Sequence, residues 1–163
     1  MSELVYRSMT LPDIEQVYEI ECSCFSQPWS VESLIGEVIR NDAASYVVAE
    51  DNGKIVGYAG MWQMFDEAHM TNIAVAAEYR CRGIATNLIL MRTAKANGGK
   101  RMTLEVREFN HKAQRVYSAL GFRYAGTRRK YYSDTGENAL ILWNDSIDNT
   151  LRAHADGSCS ESL

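Results

Sequence analysis

The stretch SYVVAEDNGKIVGYAGMW, residues 45–62, limits the fold more than any other part of the chain. Two strand-like runs flank Asn52-Gly53. Asn-Gly suits a two-residue turn with positive φ at both central positions, the turn that joins antiparallel strands. A sheet is therefore expected, with this hairpin inside it. HMTNIAV (69–75) reads as a third strand and RMTLEV (101–106) as a fourth. FRYAGTRRKYY (122–132) and ALILW (139–143) read as two final strands around a turn at 133–138, and LVYRSM (4–9) is a candidate additional strand.

Helical signals fall between these runs. Thr10-Leu-Pro-Asp13 is a T-x-x-D start with Pro early in the helix, and Ile14, Val17 and Tyr18 supply one face. Ser30 caps a second helix, in which Val31, Leu34, Ile35, Val38 and Ile39 recur at helical spacing. A third runs from about Gly83 to Asn97 and stops at Gly98-Gly99. A fourth runs from Asn110 to Leu120, with Ala113, Val116, Tyr117 and Leu120 on one face. The order ααβββαβαββ defines an α/β sheet protein with helices packed on it. It lacks the regular βαβαβα alternation of a Rossmann fold.

A length of 163 residues suits a single domain, expected over 1–147, with the polar stretch 148–163 as a loose tail. The net charge of −4 argues against a general nucleic-acid binder, which carries a basic footprint. No apolar run has the length of a signal peptide or a membrane span. The four cysteines, Cys22, Cys24, Cys81 and Cys159, form no C-x-x-C and no zinc spacing with histidine. The expectation is a cytoplasmic protein with reduced thiols, no metal, no direct nucleic-acid binding and no membrane contact.

Three constellations can carry chemistry. In IAVAAEYRCRGIAT (73–86) a strand ends, a loop carries Arg80 and Arg82, and a helix opens at Gly83. The first N–H groups of a helix lack internal partners and bear partial positive charge, so this is a candidate anion cradle. The alternative is a solvated basic turn. In TLEVREFN (103–110), alternation puts Met102, Leu104 and Val106 on one face and Thr103, Glu105 and Arg107 on the other. Glu105 must point into a cleft, where it could act as a general base, or pair with Arg107 or another arginine. In NHKAQRVYSALGF (110–122), Asn110 is an N-cap by default. Tyr117 is by default a core residue whose hydroxyl finds a hydrogen bond; the alternative is a phenol acid.

Together these segments resemble the GNAT superfamily of N-acetyltransferases. Arg80-Cys81-Arg82-Gly83-Ile84-Ala85 after Ile73-Ala74-Val75 is similar to its R/Q-x-x-G-x-G/A acetyl-CoA motif. Asn110, Ala113, Tyr117 and Gly121-Phe122 are similar to its second helix motif. QPWS (27–30), DEAHMTNIAV (66–75), LEVREFN (104–110) and RRKYY (128–132) resemble the ribosomal-protein-alanine N-acetyltransferases. Gln27 stands where that family often has phenylalanine, 76–79 lacks the usual acidic-proline start, and Asn87 replaces a small residue.

The resemblance implies a twisted mixed sheet, flanked by helices on both faces and splayed between its central strands for acetyl-CoA. It implies that Ile73, Ala74 and Val75 line the pantetheine arm, through the amides of Ile73 and Val75. Arg80, Cys81, Arg82, Gly83, Ile84, Ala85 and Thr86 would hold the pyrophosphate, and Asn110 would also bind the cofactor. Glu105 would be the base and Tyr117 the acid. Trp29, Asp66, Glu67, Tyr131 and Tyr132 would meet the acceptor, the N-terminal segment of a small-subunit ribosomal protein. The enzyme would be a monomer or weak dimer. The rival readings are a GNAT enzyme with a small-molecule amine acceptor and a CoA-binding module without catalysis.

Overall fold

The Asn-Gly turn forms as its dipeptide requires, with φ of +50° at Asn52 and +86° at Gly53. It joins β2 (Ala44–Asp51) to β3 (Lys54–Met64) in the computed structural model of the chain. Residues 4–80 and 86–155 are described by the structure, the side chains of 86–88 excepted. The remaining strands are β1 (Val5–Ser8), β4 (Glu67–Val75), β5 (Arg101–Arg107), β6 (Arg123–Arg128) and β7 (Ala139–Asn144). They form one sheet in the order β1-β2-β3-β4-β5-β7-β6. The helices are α1 (Ile14–Cys24), α2 (Val31–Ile39), α3 (Thr86–Ala96), α4 (His111–Ala119) and α5 (Ile147–Ala155).

The helices divide between two faces. α1 and α2 bury Ile14, Val17, Ile20 and Leu34 against Tyr46, Val48, Ile55 and Tyr58. On the other face α3, α4 and α5 enclose Leu90, Met91, Tyr117, Leu120 and Ile147 with Met61, Met102, Leu104 and Val106. α1 and α2 pack chiefly on β2, β3 and β4, so on their side β5, β7 and β6 carry little helix.

The sheet opens in its middle. β4 and β5 run parallel and pair only at Glu67↔Arg101, Ala68↔Met102 and His69↔Thr103. Beyond His69 the two strands part. β4 also carries a bulge: Gly60 pairs with Asn72 and Met61 with Met70, leaving Thr71 as the extra residue. The Tyr46 hydroxyl holds this irregularity, 3.2 Å from Thr71 Oγ1 and 3.1 Å from Asn72 Oδ1. A side chain at Gly60 would collide with the Tyr46 ring.

At the start of α1, Leu11–Asp13 form a 3₁₀ turn closed by a Thr10/Asp13 capping box. Asp13 is buried and takes two bonds from Arg7, at 2.7 and 2.8 Å, while Arg7 also reaches Glu50 at 2.7 Å. Hydrogen bonding to Arg7 holds the Asp13 carboxyl below its usual range. Asp13→Ala should cost about 2–3 kcal/mol in urea unfolding, from a lost cap and charge-assisted bonds. A lowered carboxylate stabilises above its unfolded value and loses that effect as pH falls through the folded one. The gap between parent and variant should therefore narrow below about pH 4.

Two expectations are corrected. Residues 148–155 are not a loose tail: they belong to α5, which packs on α3. Ile147, Thr150 and Leu151 make a short helical stripe within a polar stretch. Thr150 Oγ1 donates to the Leu120 carbonyl at 2.9 Å, and Lys95 pairs with Asp148. Residues 156–163 lie outside the described residues. The strand expected over 122–132 spans only Arg123–Arg128. Lys130 turns to φ +51°, and its N–H goes to the Asn138 side chain at 2.9 Å, which ends the ladder.

Candidate active site

The fork between β4 and β5 brings the predicted chemistry together. Ala76 N–H bonds to the Val56 carbonyl of β3 at 2.8 Å. Alternation along the strand then turns the Ala74 N–H toward β3, and the Ile73 and Val75 N–H groups toward the gap left by β5. The Val75 carbonyl, on the same side as its N–H, accepts from Arg80 Nε at 3.2 Å and Cys24 Sγ at 3.6 Å. An extended ligand arm can therefore pair with β4 at Ile73 and Val75, but not through the Ala74 amide. Arg80 is exposed and folds back on Val75 and Cys24 rather than reaching away. Cys81, Arg82, Gly83, Ile84 and Ala85 lie outside the described residues, as does the side chain of Thr86; α3 begins at Thr86.

Glu105 projects from β5 on the face that α1 and α2 share. Its side chain is 13% exposed. His69 Nε2 lies 2.6 Å from one carboxylate oxygen, and Arg128 Nε lies 3.4 Å from the other. Hydrogen bonding to His69, opposed by burial and helped by Arg128, holds Glu105 below the usual carboxylate range. Of the two readings of Glu105, the pairing with an arginine other than Arg107 is seen. That arginine is Arg128. Arg107 instead binds Asp134 at 2.8 Å and Glu137 at 3.5 Å.

Tyr117 rises from α4 on the opposite face. It is 7% exposed and packs edge-on against Phe122 at 5.6 Å. Burial pushes its hydroxyl up to about 12, with a smaller effect from Tyr132. Tyr132 interacts electrostatically with both Tyr117 and Glu105, so it lies near each. The carboxylate and the phenol stand on opposite faces of the sheet. Asn110 caps α4, its Oδ1 accepting from Ala113 N–H at 3.2 Å.

The segment 129–138 folds over the Glu105 side. The Arg107 guanidinium sits 4.0 Å from the centre of the Tyr132 ring, and Tyr131 packs against Tyr132 at 5.1 Å. Ser26 Oγ donates to Asp134 at 2.6 Å, and Ser133 Oγ to Gln27 at 3.0 Å. The α1–α2 loop and this segment are therefore tied together. Buried Glu21 sets the loop by accepting from Trp29 N–H at 3.3 Å and from the Tyr58 hydroxyl. Trp29 and Trp62 then line an open groove along α2 with Glu32 and Glu37. Asp66 and Glu67 lie at the closed end of the fork, away from Ile73 and Val75. Glu67 binds Arg101 at 3.2 Å, and the Asp66 carbonyl accepts from Lys100 N–H at 2.7 Å.

Sequence reasoning missed His69, Trp62 and Arg128 as site residues. Trp62 pairs directly with His69 across β3 and β4. A histidine on the polar phase of a strand is a usable signal only once that strand's neighbour is known.

A fork in a mixed sheet with an open strand edge on β4 is the arrangement expected of an acyltransferase of the GNAT type. The Acetyltransferase (GNAT) family model matches residues 14–122, and the chain belongs to that family. It is an N-acetyltransferase. A putative [ribosomal protein bS18]-alanine N-acetyltransferase of Bacillus subtilis is 42% identical over 139 residues, 84% of this chain and 92% of that protein. The [ribosomal protein bS18]-alanine N-acetyltransferase of Escherichia coli K12 is 32% identical over 141 residues, 83% of this chain and 93% of that protein. The crystal structure of the ribosomal-protein-S18-alanine N-acetyltransferase from Escherichia coli superposes with a TM-score of 0.79 at 30% identity, covering 86% of this chain and 92% of that one.

Proposed function

We propose that this enzyme acetylates the N-terminal alanine of a small-subunit ribosomal protein in the cytoplasm, by direct transfer from acetyl-CoA. The observation that carries the reading is Glu105, held ionised two residues beyond the last β4–β5 pair on the face that α1 and α2 share. Acetyl-CoA supplies the activated acetyl thioester. The Ile73 and Val75 amides fit its pantetheine arm because the gap leaves that edge of β4 open. Arg80, Arg82 and the backbone around Gly83 would hold its pyrophosphate, with Asn110 alongside.

An α-ammonium group has a pKa of about 7.7–8, so an acceptor amine must lose a proton before attack. Glu105 takes that proton, directly or through one water. Tyr117, on the other face, donates toward the departing sulfur. Positioning between the two faces of the sheet accounts for most of the remaining rate. The acceptor chain enters between Trp29 and the Tyr131–Tyr132 segment. The carboxylates of Glu32 and Glu37 make its groove suited to a basic peptide.

The relatives named for alanine acetylation favour a protein acceptor over a small amine. Incubation with a small-subunit ribosomal protein mixture and acetyl-CoA should add one acetyl mass to one alanine-starting protein. The measurement is intact-mass spectrometry. Modification of spermine or free amino acids, with the proteins untouched, would replace this reading with the small-molecule one.

A further inference from the structure

We propose that His69 is a positioning residue for acetyl transfer: its imidazole holds one oxygen of Glu105 and leaves the other to receive the acceptor's proton. The inference rests on the reading of Glu105 as the base. His69 occupies the last paired position of β4, opposite Thr103, and Glu105 lies two residues further along β5. Their 2.6 Å bond therefore ties the strands together where their ladder stops. An ionised carboxylate only accepts, so Nε2 carries the hydrogen and donates it. That fixes Oε2. Among the described residues Oε1 meets only Arg128 Nε, at 3.4 Å, and is the oxygen left for the substrate.

The neighbours of His69 have partners of their own. On its own strand Glu67 is engaged by Arg101 of β5, which also binds Asp145 at 3.0 Å. Trp62 of β3 donates to Glu37 of α2. His69 is also the member open to water, with 37% of its side chain exposed against 13% for Glu105.

The test compares parent, His69→Ala, His69→Gln and Glu105→Gln on an alanine-starting basic peptide. His69→Ala should lower kcat by about 10–100-fold through a misplaced base, leaving KM for acetyl-CoA unchanged. His69→Gln offers an amide donor to the same oxygen and should recover most of the loss. A parental kcat in His69→Ala, or a His69→Gln no faster than His69→Ala, overturns the proposal. If His69→Ala does not fold, judged by its thermal melt, His69→Leu fills the site without a donor and takes its place, and a parental kcat there overturns the proposal. A parental rate in Glu105→Gln would instead remove the base reading itself. An inactive Glu105→Gln beside parental His69 variants would remove only the role of His69.

Discussion

Glu105→Gln should lower kcat by about 10²–10⁴-fold, the usual worth of a general base, with KM for acetyl-CoA unchanged. Glutamine keeps the shape and can still accept from His69 Nε2, so the substitution removes basicity rather than the tie across the fork. Steady-state kinetics on an alanine-starting peptide measure both constants, and a thermal melt checks the fold. The pH profile adds a second handle. Bonding to His69 and the nearby Arg128 hold Glu105 below the usual carboxylate range. A base with a lowered value is ready above that value and fails only as pH falls through it. Glu105 should thus contribute no acid limb near neutrality. The limb near pH 8 should belong to the acceptor, whose α-ammonium titrates at about 7.7–8. A shortened rate defect, with Glu105→Gln within about threefold of the parent, would reassign the base.

The sheet was legible where one strand could be read by itself. Alternation at Met102, Leu104 and Val106 assigned the faces of β5, and the structure keeps that assignment. Asn52-Gly53 and Ser30 carry their meaning in two or three residues; Ser30 Oγ accepts from Ser33 N–H at 3.1 Å. What a single strand does not hold is its neighbour. The contact of His69 with Glu105 spans 36 residues and depends on β4 lying parallel to β5 for only three pairs. The same limit hid Arg128 as the partner of Glu105. In a run of three basic residues nothing marks one of them out. Only the antiparallel pairing of β6 with β7, and of β7 with β5, carries it to Glu105. The end of the chain failed for a different reason. α5 buries Ile147, with Thr150 and Leu151 behind it, and the rest of the helix is polar. Three residues of periodicity against α3 sufficed in the fold but not in the pattern.

Tyr117→Phe should lower kcat by about 10²–10³-fold, the cost of removing one donor aimed at developing negative charge. Phenylalanine keeps the edge-on contact with Phe122, so the thermal melt should stay within about 1 kcal/mol of the parent. The loss would then belong to the hydroxyl. The magnitude of its acidity shapes how it acts. Burial pushes Tyr117 up to about 12. A thiol titrates near 8.5, so complete transfer from this phenol to a free thiolate runs uphill by roughly 3–4 pKa units, about 5 kcal/mol. Tyr117 therefore works first as a hydrogen-bond donor that stabilises charge on the leaving sulfur while the bond breaks. The proton it keeps is also why it stays competent. With its value raised, it remains protonated until pH approaches 12, so the parent should show no basic limb from Tyr117 below about pH 11. A basic limb at pH 8–9 that disappears in Tyr117→Phe would mean a far more acidic phenol than burial allows. A parental kcat in that variant would place the leaving-group donor elsewhere in the fork. Tyr132 is then the next candidate, because it interacts electrostatically with both Tyr117 and Glu105.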